Sequence, residues 1–177
     1  ILGSVMQLCS MPIQGFAQGA QPIISFNYGA GKMERVKKTI FLLVCTCVSF
    51  TVVMCLVAEI FPEVFISIFN SDPELMETAV WAMRIYIGGL WIFGAQCACQ
   101  QSFIALGEAK ISLFLACLRK IILLIPLIYI LPNFFSNKVA GVFFAEPITD
   151  ILASIITSTI FVIKIKSILN NTEREVL

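Results

Sequence analysis

The sequence contains no histidine, and charged residues make up only 13% of its 177 positions. The absence of imidazole excludes histidine-based acid–base catalysis and the zinc or haem sites that need a histidine ligand. Soluble domains carry about a quarter charged residues, whereas 59% of this chain is hydrophobic. Such a composition cannot cover a water-soluble particle of this size. The formal net charge of +1 also argues against nucleic acid as a partner, because nucleic-acid-binding proteins normally have a clear basic excess.

Five stretches are long and apolar enough to cross a membrane as helices, which takes about 20 residues. We place them at about 1–27, 39–58, 85–107, 110–132 and 139–162. The sequence therefore predicts an all-α, polytopic membrane helix bundle with five transmembrane helices in one unit covering residues 1–177. Because the chain starts inside an apolar stretch without an initiator methionine, we expect it to be part of a larger membrane protein.

Basic residues are distributed unequally between the two ends of these spans. One end has eight, which are Lys32, Arg35, Lys37, Lys38, Lys110, Lys164, Lys166 and Arg174. The other end has Arg84 and Lys138. The positive-inside rule places the richer end in the cytoplasm. We therefore predict a multi-pass protein of the plasma membrane, with its C-terminus in the cytoplasm.

Seven cysteines lie inside the apolar runs, at positions 9, 45, 47, 55, 97, 99 and 117. An odd number of cysteines placed in this way does not indicate a disulfide framework. The Cys-x-Cys pairs are poor chelates on a helix, because residues two apart point to different sides. We interpret the cysteines as small packing residues and predict no metal site.

Polar residues in the first span recur every three or four positions and therefore share one helical face. They are Ser4, Gln7, Gln14, Gln18, Gln21 and Ser25. The third span carries Gln96 and Gln100, four residues apart, and the glycines at 88, 89 and 94, which are expected at close contacts or bends. Two interpretations of the glutamines stay open. In one they line a polar path, and in the other they form hydrogen bonds between helices.

Charged residues inside the fourth and fifth spans fall at similar depths. At a rise of about 1.5 Å per residue, Asp150 lies roughly 17 Å from the outer end of its span and Arg119 roughly 13 Å from the inner end of its own. Gln96 falls at the same level. Because a lone charge at this depth is very unfavourable, we predict that Arg119 or Lys120 neutralises Asp150. Carboxylates within a membrane span are costly and commonly functional, so we favour a functional role for Asp150 and Glu146. A structural ion pair is the alternative.

The stretch from Gln18 to Lys32, QGAQPIISFNYGAGK, resembles a membrane span and cytoplasmic turn of the multidrug and toxic compound extrusion (MATE) transporters. Three later stretches resemble the same family. They are QSFIALGEAK at 101–110, Leu118-Arg119 with residues 124–132, and residues 141–153 with their EPITD segment. The resemblance is strongest to the second of the family's two six-helix lobes. It implies that the first lobe and the first helix of the second lobe are missing partners of this chain.

Members of this family exchange organic cations or other amphipathic drugs for protons or sodium ions. The resemblance therefore implies one part of a secondary-active antiporter, with no enzymatic activity, no cofactor and a drug-like small molecule as substrate. The family's coupling acids lie on helices that this chain lacks, and its counterpart of the tenth helix, 85–107, has no acid. The resemblance therefore carries no ligand for H+ or Na+ over to this fragment.

Candidate residues for the substrate path or for coupling are Gln14, Gln18, Gln21, Gln96, Gln100, Arg119, Glu146 and Asp150. Protonation or re-pairing of the two acids would bias the transporter between its inward-open and outward-open states. Two alternatives remain. One is a flippase for lipid-linked saccharides from the same superfamily, which would need a more cationic cavity. The other is a structural membrane fragment with no activity of its own.

Overall fold

The computed structural model describes the backbone of residues 2–69, 73–135 and 138–175, and the side chains of 2–69, 76–135 and 138–168. These ranges contain helices and turns and no β-strand, which confirms the all-α prediction. The α-helices are α1 Leu2–Gly29, α2 Met33–Ile60, α3 Pro62–Ser67, α4 Pro73–Ile87, α5 Leu90–Ala105, α6 Ala109–Cys117, α7 Ile125–Ile130 and α8 Lys138–Glu175. A π-helix covers Leu118–Leu124, and a 3₁₀-helix covers Leu131–Asn133.

Three helical stretches and one bent pair in the described ranges are long and apolar enough to cross a membrane. They are α2, the stretch Ala109–Asn133, the Lys138–Ile168 part of α8, and the pair α4–α5, which is bent by 48°. The bend interrupts the predicted third span at Gly88 and Gly89. The first predicted span forms α1, which is as long as α2. Its glutamines and serines lower the mean hydropathy of α1, so α1 is not among the stretches that are apolar enough to cross a membrane. Its crossing of the membrane therefore stays a prediction.

Helix α5 occupies the centre of the bundle and packs on α1, α2, α8 and α6. Phe103 of α5 is completely buried. Its ring packs edge-to-face on that of Phe161 of α8, with 5.1 Å between the ring centroids. Gly94 lets α2 approach closely, because a Cβ at this position would lie 2.5 Å from the carbonyl oxygen of Cys47. Five of the cysteines, at positions 9, 47, 55, 97 and 99, are buried between helices.

The fourth predicted span is one irregular helical stretch. After α6 the helix widens into the π-helix, and α7 follows with Pro126 as its second residue. A proline has no backbone N–H, and its ring collides with the carbonyl four residues earlier. The wider π-helical turn before Pro126 accommodates this collision. Arg119 and Lys120 lie within this π-helix, and π-helical turns are frequent at functional sites.

The α1–α2 turn, the α5–α6 turn and the far part of α8 lie at one end of the bundle. Gly31 and Gly107 have positive φ angles of 70° and 85° in these turns, which glycine adopts without strain. The Ser25 hydroxyl donates to the Ala105 carbonyl at 2.8 Å and joins α1 to α5 there. Basic residues gather at this end, which we call the basic end: Lys32, Arg35, Lys37, Lys38, Lys110, Lys164 and Lys166.

Candidate functional site

An ion pair between the π-helix and α8 forms the centre of the candidate site. The Nε and Nη2 atoms of Arg119 lie 2.7 and 2.6 Å from Oδ1 of Asp150. Asp150 is 1% exposed, so the pair is well shielded from solvent on the carboxylate side. The sequence-based depth estimate predicted that Arg119 or Lys120 would neutralise Asp150. The structure confirms the prediction and selects Arg119.

A second carboxylate extends this pair into a four-residue network. Glu146 precedes Asp150 by one turn of α8, and its Oε1 lies 3.2 Å from Nζ of Lys120 and 4.0 Å from Nη2 of Arg119. The side chain of Lys120 is 56% exposed, whereas that of Glu146 is 17% exposed. Two cations and two carboxylates thus balance one another, with Asp150 at the buried end and Lys120 at the open end.

The two carboxylate oxygens of Asp150 have different surroundings. Its Oδ2 is buried and has no hydrogen-bond partner in the described part of the chain. The hydroxyls of Thr149 and Thr157 on the same helix are in the same situation. A buried polar atom without a partner is costly. A proton, a water or a ligand donor would satisfy the carboxylate oxygen, and a water or ligand would satisfy the two hydroxyls, which donate as well as accept.

A cavity of about 280 Å³ opens next to this network, between α1, the α4–α5 bend, the π-helix and α8. Phe93 forms part of its wall and lies under the guanidinium of Arg119, with the ring centroid 4.8 Å away. Aromatic rings attract cations placed over their faces. The residues that line the cavity are Gly3, Met6, Gln7, Ser10, Gln14, Tyr86, Leu90, Phe93, Arg119, Lys120 and Glu146. The cavity therefore combines apolar walls with amide groups and paired charges.

A family comparison agrees with this architecture. The MatE family model matches residues 1–130. The chain belongs to the MATE family. Among curated proteins, none matches it.

Solved MATE structures share the fold. A ligand complex of the MATE multidrug transporter DinF-BH is 35% identical, with a TM-score of 0.80 over 88% of this chain. A MATE in the bent conformation gives a TM-score of 0.89 over 97% of this chain at 16% identity. An inward-facing MATE transporter gives 0.86 over 94% at 17% identity. The match covers 34%, 38% and 39% of those three chains, so this chain spans little more than a third of their length.

The candidate glutamines of this MATE chain occupy different environments. Gln14 lines the cavity, and its Nε2 donates to the Ser10 hydroxyl at 3.3 Å. Gln18 is exposed and Gln21 is half-buried, both on α1 towards the basic end. Neither lines the cavity.

Two further glutamines on α5 are engaged between helices. Gln96 is 1% exposed, and its Oε1 accepts a hydrogen bond from the Ser154 hydroxyl at 3.2 Å. Gln100 is half-buried, and its Nε2 donates to the carbonyl oxygen of Ser112 at 3.4 Å. The structure thus brings Gln14, Arg119 and Glu146 to the cavity, with Asp150 behind Arg119, and directs the α5 amides into helix–helix contacts.

Six cavity residues escaped the sequence analysis: Gly3, Met6 and Ser10 of α1, and a group of three at the α4–α5 bend. The group at the bend consists of Tyr86, Leu90 and Phe93. Their spacing of four and then three residues is that of one helical face. This signal runs across the glycine pair at 88 and 89, where the helix bends. The described residues contain no group of three or more metal-binding side chains of the histidine, cysteine, aspartate or glutamate type.

Proposed function

We propose that this chain forms part of a secondary-active MATE antiporter that exports organic cations or amphipathic drugs in exchange for protons or sodium ions. The supporting observation is the network of Asp150, Arg119, Glu146 and Lys120 beside a cavity inside an apolar bundle. Ionisable groups are costly within a membrane and are characteristic of ion pathways and coupling sites. In this proposal the chain is a transporter component and not an enzyme.

Coupling rests on the two arrangements that the network allows. A charged Asp150 holds Arg119 through Oδ1. A proton on Oδ2, which has no partner among the described residues, removes the charge that Arg119 compensates. The nearest other carboxylate is Glu146, at 4.0 Å from Nη2. Movement of Arg119 towards Glu146 would shift the π-helix against α8 and change the relative stability of two transporter states.

Substrate binding uses the cavity wall. Leu90, Phe93 and Tyr86 supply apolar and aromatic surface, and Gln7 and Gln14 supply amides that serve as both donors and acceptors. Drug-sized sites enclose about 300 to 1,000 Å³, so a cavity of 280 Å³ would form one wall of a larger cleft. A cationic substrate would be attracted to Glu146 and would compete with Lys120 for it. The exposed Gln18 and half-buried Gln21 extend the same polar face towards the basic end.

The flippase alternative receives less support from the same geometry. A site for a lipid-linked anionic saccharide needs uncompensated cations, whereas Arg119 and Lys120 each lie beside a carboxylate. The structural alternative, in which the chain has no activity by itself, remains compatible with a substrate wall that requires another lobe. In either case we propose a plasma-membrane location with the basic end and the C-terminus in the cytoplasm.

The test is ion-driven uptake of a fluorescent organic cation, ethidium, into proteoliposomes that contain the full-length transporter. The D150N variant removes the titratable carboxyl group and keeps the shape of the side chain. We expect it to lose stimulation by an imposed proton or sodium gradient while ethidium still binds. The matched control is E77Q, at an exposed position of α4 outside the network. Gradient-driven transport by D150N at the rate of E77Q would disprove the coupling role.

A further inference from the structure

A second cavity runs between α2, α5 and α8 and differs from the polar cavity in lining and composition. It has a volume of about 620 Å³ and shares no lining residue with the polar cavity. Its lining comprises Lys37, Ile40, Phe41, Val44, Ala95, Cys99, Ser158, Phe161, Val162, Ile165 and Lys166. We call it the α2–α8 groove. The proposed transport function does not use it.

The α2–α8 groove faces outward from the bundle. Phe41 on one rim is 67% exposed, and Val162 on the other is 58% exposed. Exposed aromatic and aliphatic side chains on spans of this length are suited to contact with hydrocarbon chains rather than water. The floor is formed by the small side chains of Ala95 and Cys99 on α5. The groove therefore offers a recessed apolar channel on the outer face of the described bundle.

The mouth of the groove is basic. Lys37 lies near the start of α2 and Lys166 on the far part of α8, both at the basic end. From Lys37 to Val44 the channel extends about 10 Å along the helix axis. Lys37 Nζ also lies 3.2 Å from Glu34, but that carboxylate is 90% exposed, and such surface pairs are weak and exchangeable. A headgroup phosphate at the mouth would meet the Lys166 ammonium and would compete with the existing partners of Lys37, Glu34 among them.

We propose that the α2–α8 groove binds an anionic phospholipid, with an acyl chain in the channel and the headgroup phosphate between Lys37 and Lys166. Basic pockets between transmembrane helices on the cytoplasmic side are known to bind anionic headgroups. The charge of the mouth and the apolar channel below it match the two halves of such a lipid. A neutral lipid would satisfy the channel alone, and a soluble anion would satisfy the mouth alone.

The experiment measures lipid retention by native mass spectrometry of the full-length transporter purified in detergent. The probes are phosphatidylglycerol and phosphatidylcholine with identical acyl chains, and glycerol 3-phosphate as a headgroup without chains. We expect the K37Q/K166Q variant to lose roughly 30-fold in phosphatidylglycerol affinity, about fivefold for each lysine, with phosphatidylcholine unchanged. The K37R/K166R variant keeps the charges and should retain the lipid.

Two matched controls separate this groove from other lipid contacts. The variant R84Q/K138Q removes two cations from the opposite end and should leave phosphatidylglycerol retention unchanged. V44W fills the channel and should lower phosphatidylglycerol retention, whereas L42W, on the same helix and outside the groove, should not. Thermal unfolding of each variant identifies those that fail to fold.

Three outcomes would overturn the proposal. They are equal phosphatidylglycerol retention by wild type and K37Q/K166Q, no effect of V44W, or full competition by glycerol 3-phosphate. For the wild-type protein alone, raising the salt concentration should release phosphatidylglycerol before phosphatidylcholine, because salt screens the exposed lysines. Release of both lipids at the same salt concentration would likewise count against a charged mouth, whatever the folding of the variants.

Discussion

Gly89 lies directly against the turn of α8 that carries Asp150. A Cβ atom at position 89 would come 2.6 Å from the Cα of Pro147 and 3.0 Å from the Cβ of Asp150. The same glycine lies at the break where α4 and α5 are bent by 48°. The bend and the buried ion pair therefore share one contact, in which only a hydrogen atom fits between the two helices.

We expect G89A to destabilise the protein and to displace α8 from α5. The added methyl group meets the Cα and Cβ of Pro147 and the Cβ of Asp150, none of which can rotate away, and overpacking of this kind typically costs about 1–3 kcal/mol. Thermal unfolding of the full-length transporter measures the loss. The matched control is G15A, because a Cβ there meets no atom within 4 Å in the described residues. Equal unfolding temperatures for G89A and G15A would show that the contact is looser than described.

The Arg119–Asp150 pair gives a second prediction, which separates stability from transport. Removal of one partner leaves the other charge buried, and breaking a buried ion pair in this way costs about 3–5 kcal/mol. We expect R119Q and D150N each to lower the unfolding temperature, and R119Q/D150N to recover most of the loss. The double variant should still lack gradient-driven transport.

A double-mutant cycle on unfolding measures the coupling between the two positions. The comparison pair is K120Q with D150N, because Lys120 contacts Glu146 and not Asp150 at salt-bridge distance. That cycle should give a smaller interaction energy. If the two cycles give the same value, Arg119 is not the specific counter-ion of Asp150.

The central ion pair of the charge network was predictable from the sequence, except for the identity of its cation. Helical rise and membrane thickness place Arg119 and Asp150 at similar depths, and the cost of a lone charge requires them to meet. The sequence could not choose between Arg119 and Lys120. That choice depends on the rotation of the helix at these positions. Both residues lie in a π-helix, and a local widening of one turn leaves little trace in hydrophobic periodicity.

The environments of the glutamines were less predictable. Gln14 and Gln96 both fall on apolar spans, and periodicity alone gave each a polar face. Their separation arises because the face of α5 that carries Gln96 packs on α8, whereas the face of α1 that carries Gln14 borders the cavity. The Tyr86, Leu90 and Phe93 wall was missed for a related reason, since the bend at Gly88 and Gly89 turns these side chains towards α1 and the π-helix.

Lys120 provides a third prediction, on substrate charge. Its ammonium is 3.2 Å from Glu146 but more than half exposed, and such pairs contribute about 0–1 kcal/mol to stability. K120Q should therefore unfold at nearly the wild-type temperature. Because ethidium would no longer compete with Lys120 for Glu146, it should bind up to about fivefold more tightly, as measured by fluorescence titration. K138Q, at the exposed start of α8, is the control. Unchanged ethidium affinity in K120Q would remove Glu146 from the substrate site.

The two glutamines with different surroundings give a final pair of predictions. Gln96 is buried and accepts a hydrogen bond from Ser154, so Q96L leaves the Ser154 hydroxyl without that acceptor. We expect Q96L to lose about 1 kcal/mol of stability and to keep its ethidium affinity. Gln14 lines the cavity and is half-buried, so Q14L should keep its stability and lose ethidium affinity. Thermal unfolding and fluorescence titration of both variants measure the contrast. The opposite pattern, with weaker ethidium binding in Q96L and lower stability in Q14L, would exchange their roles, because only a residue that faces the cleft can contact substrate without supporting the bundle.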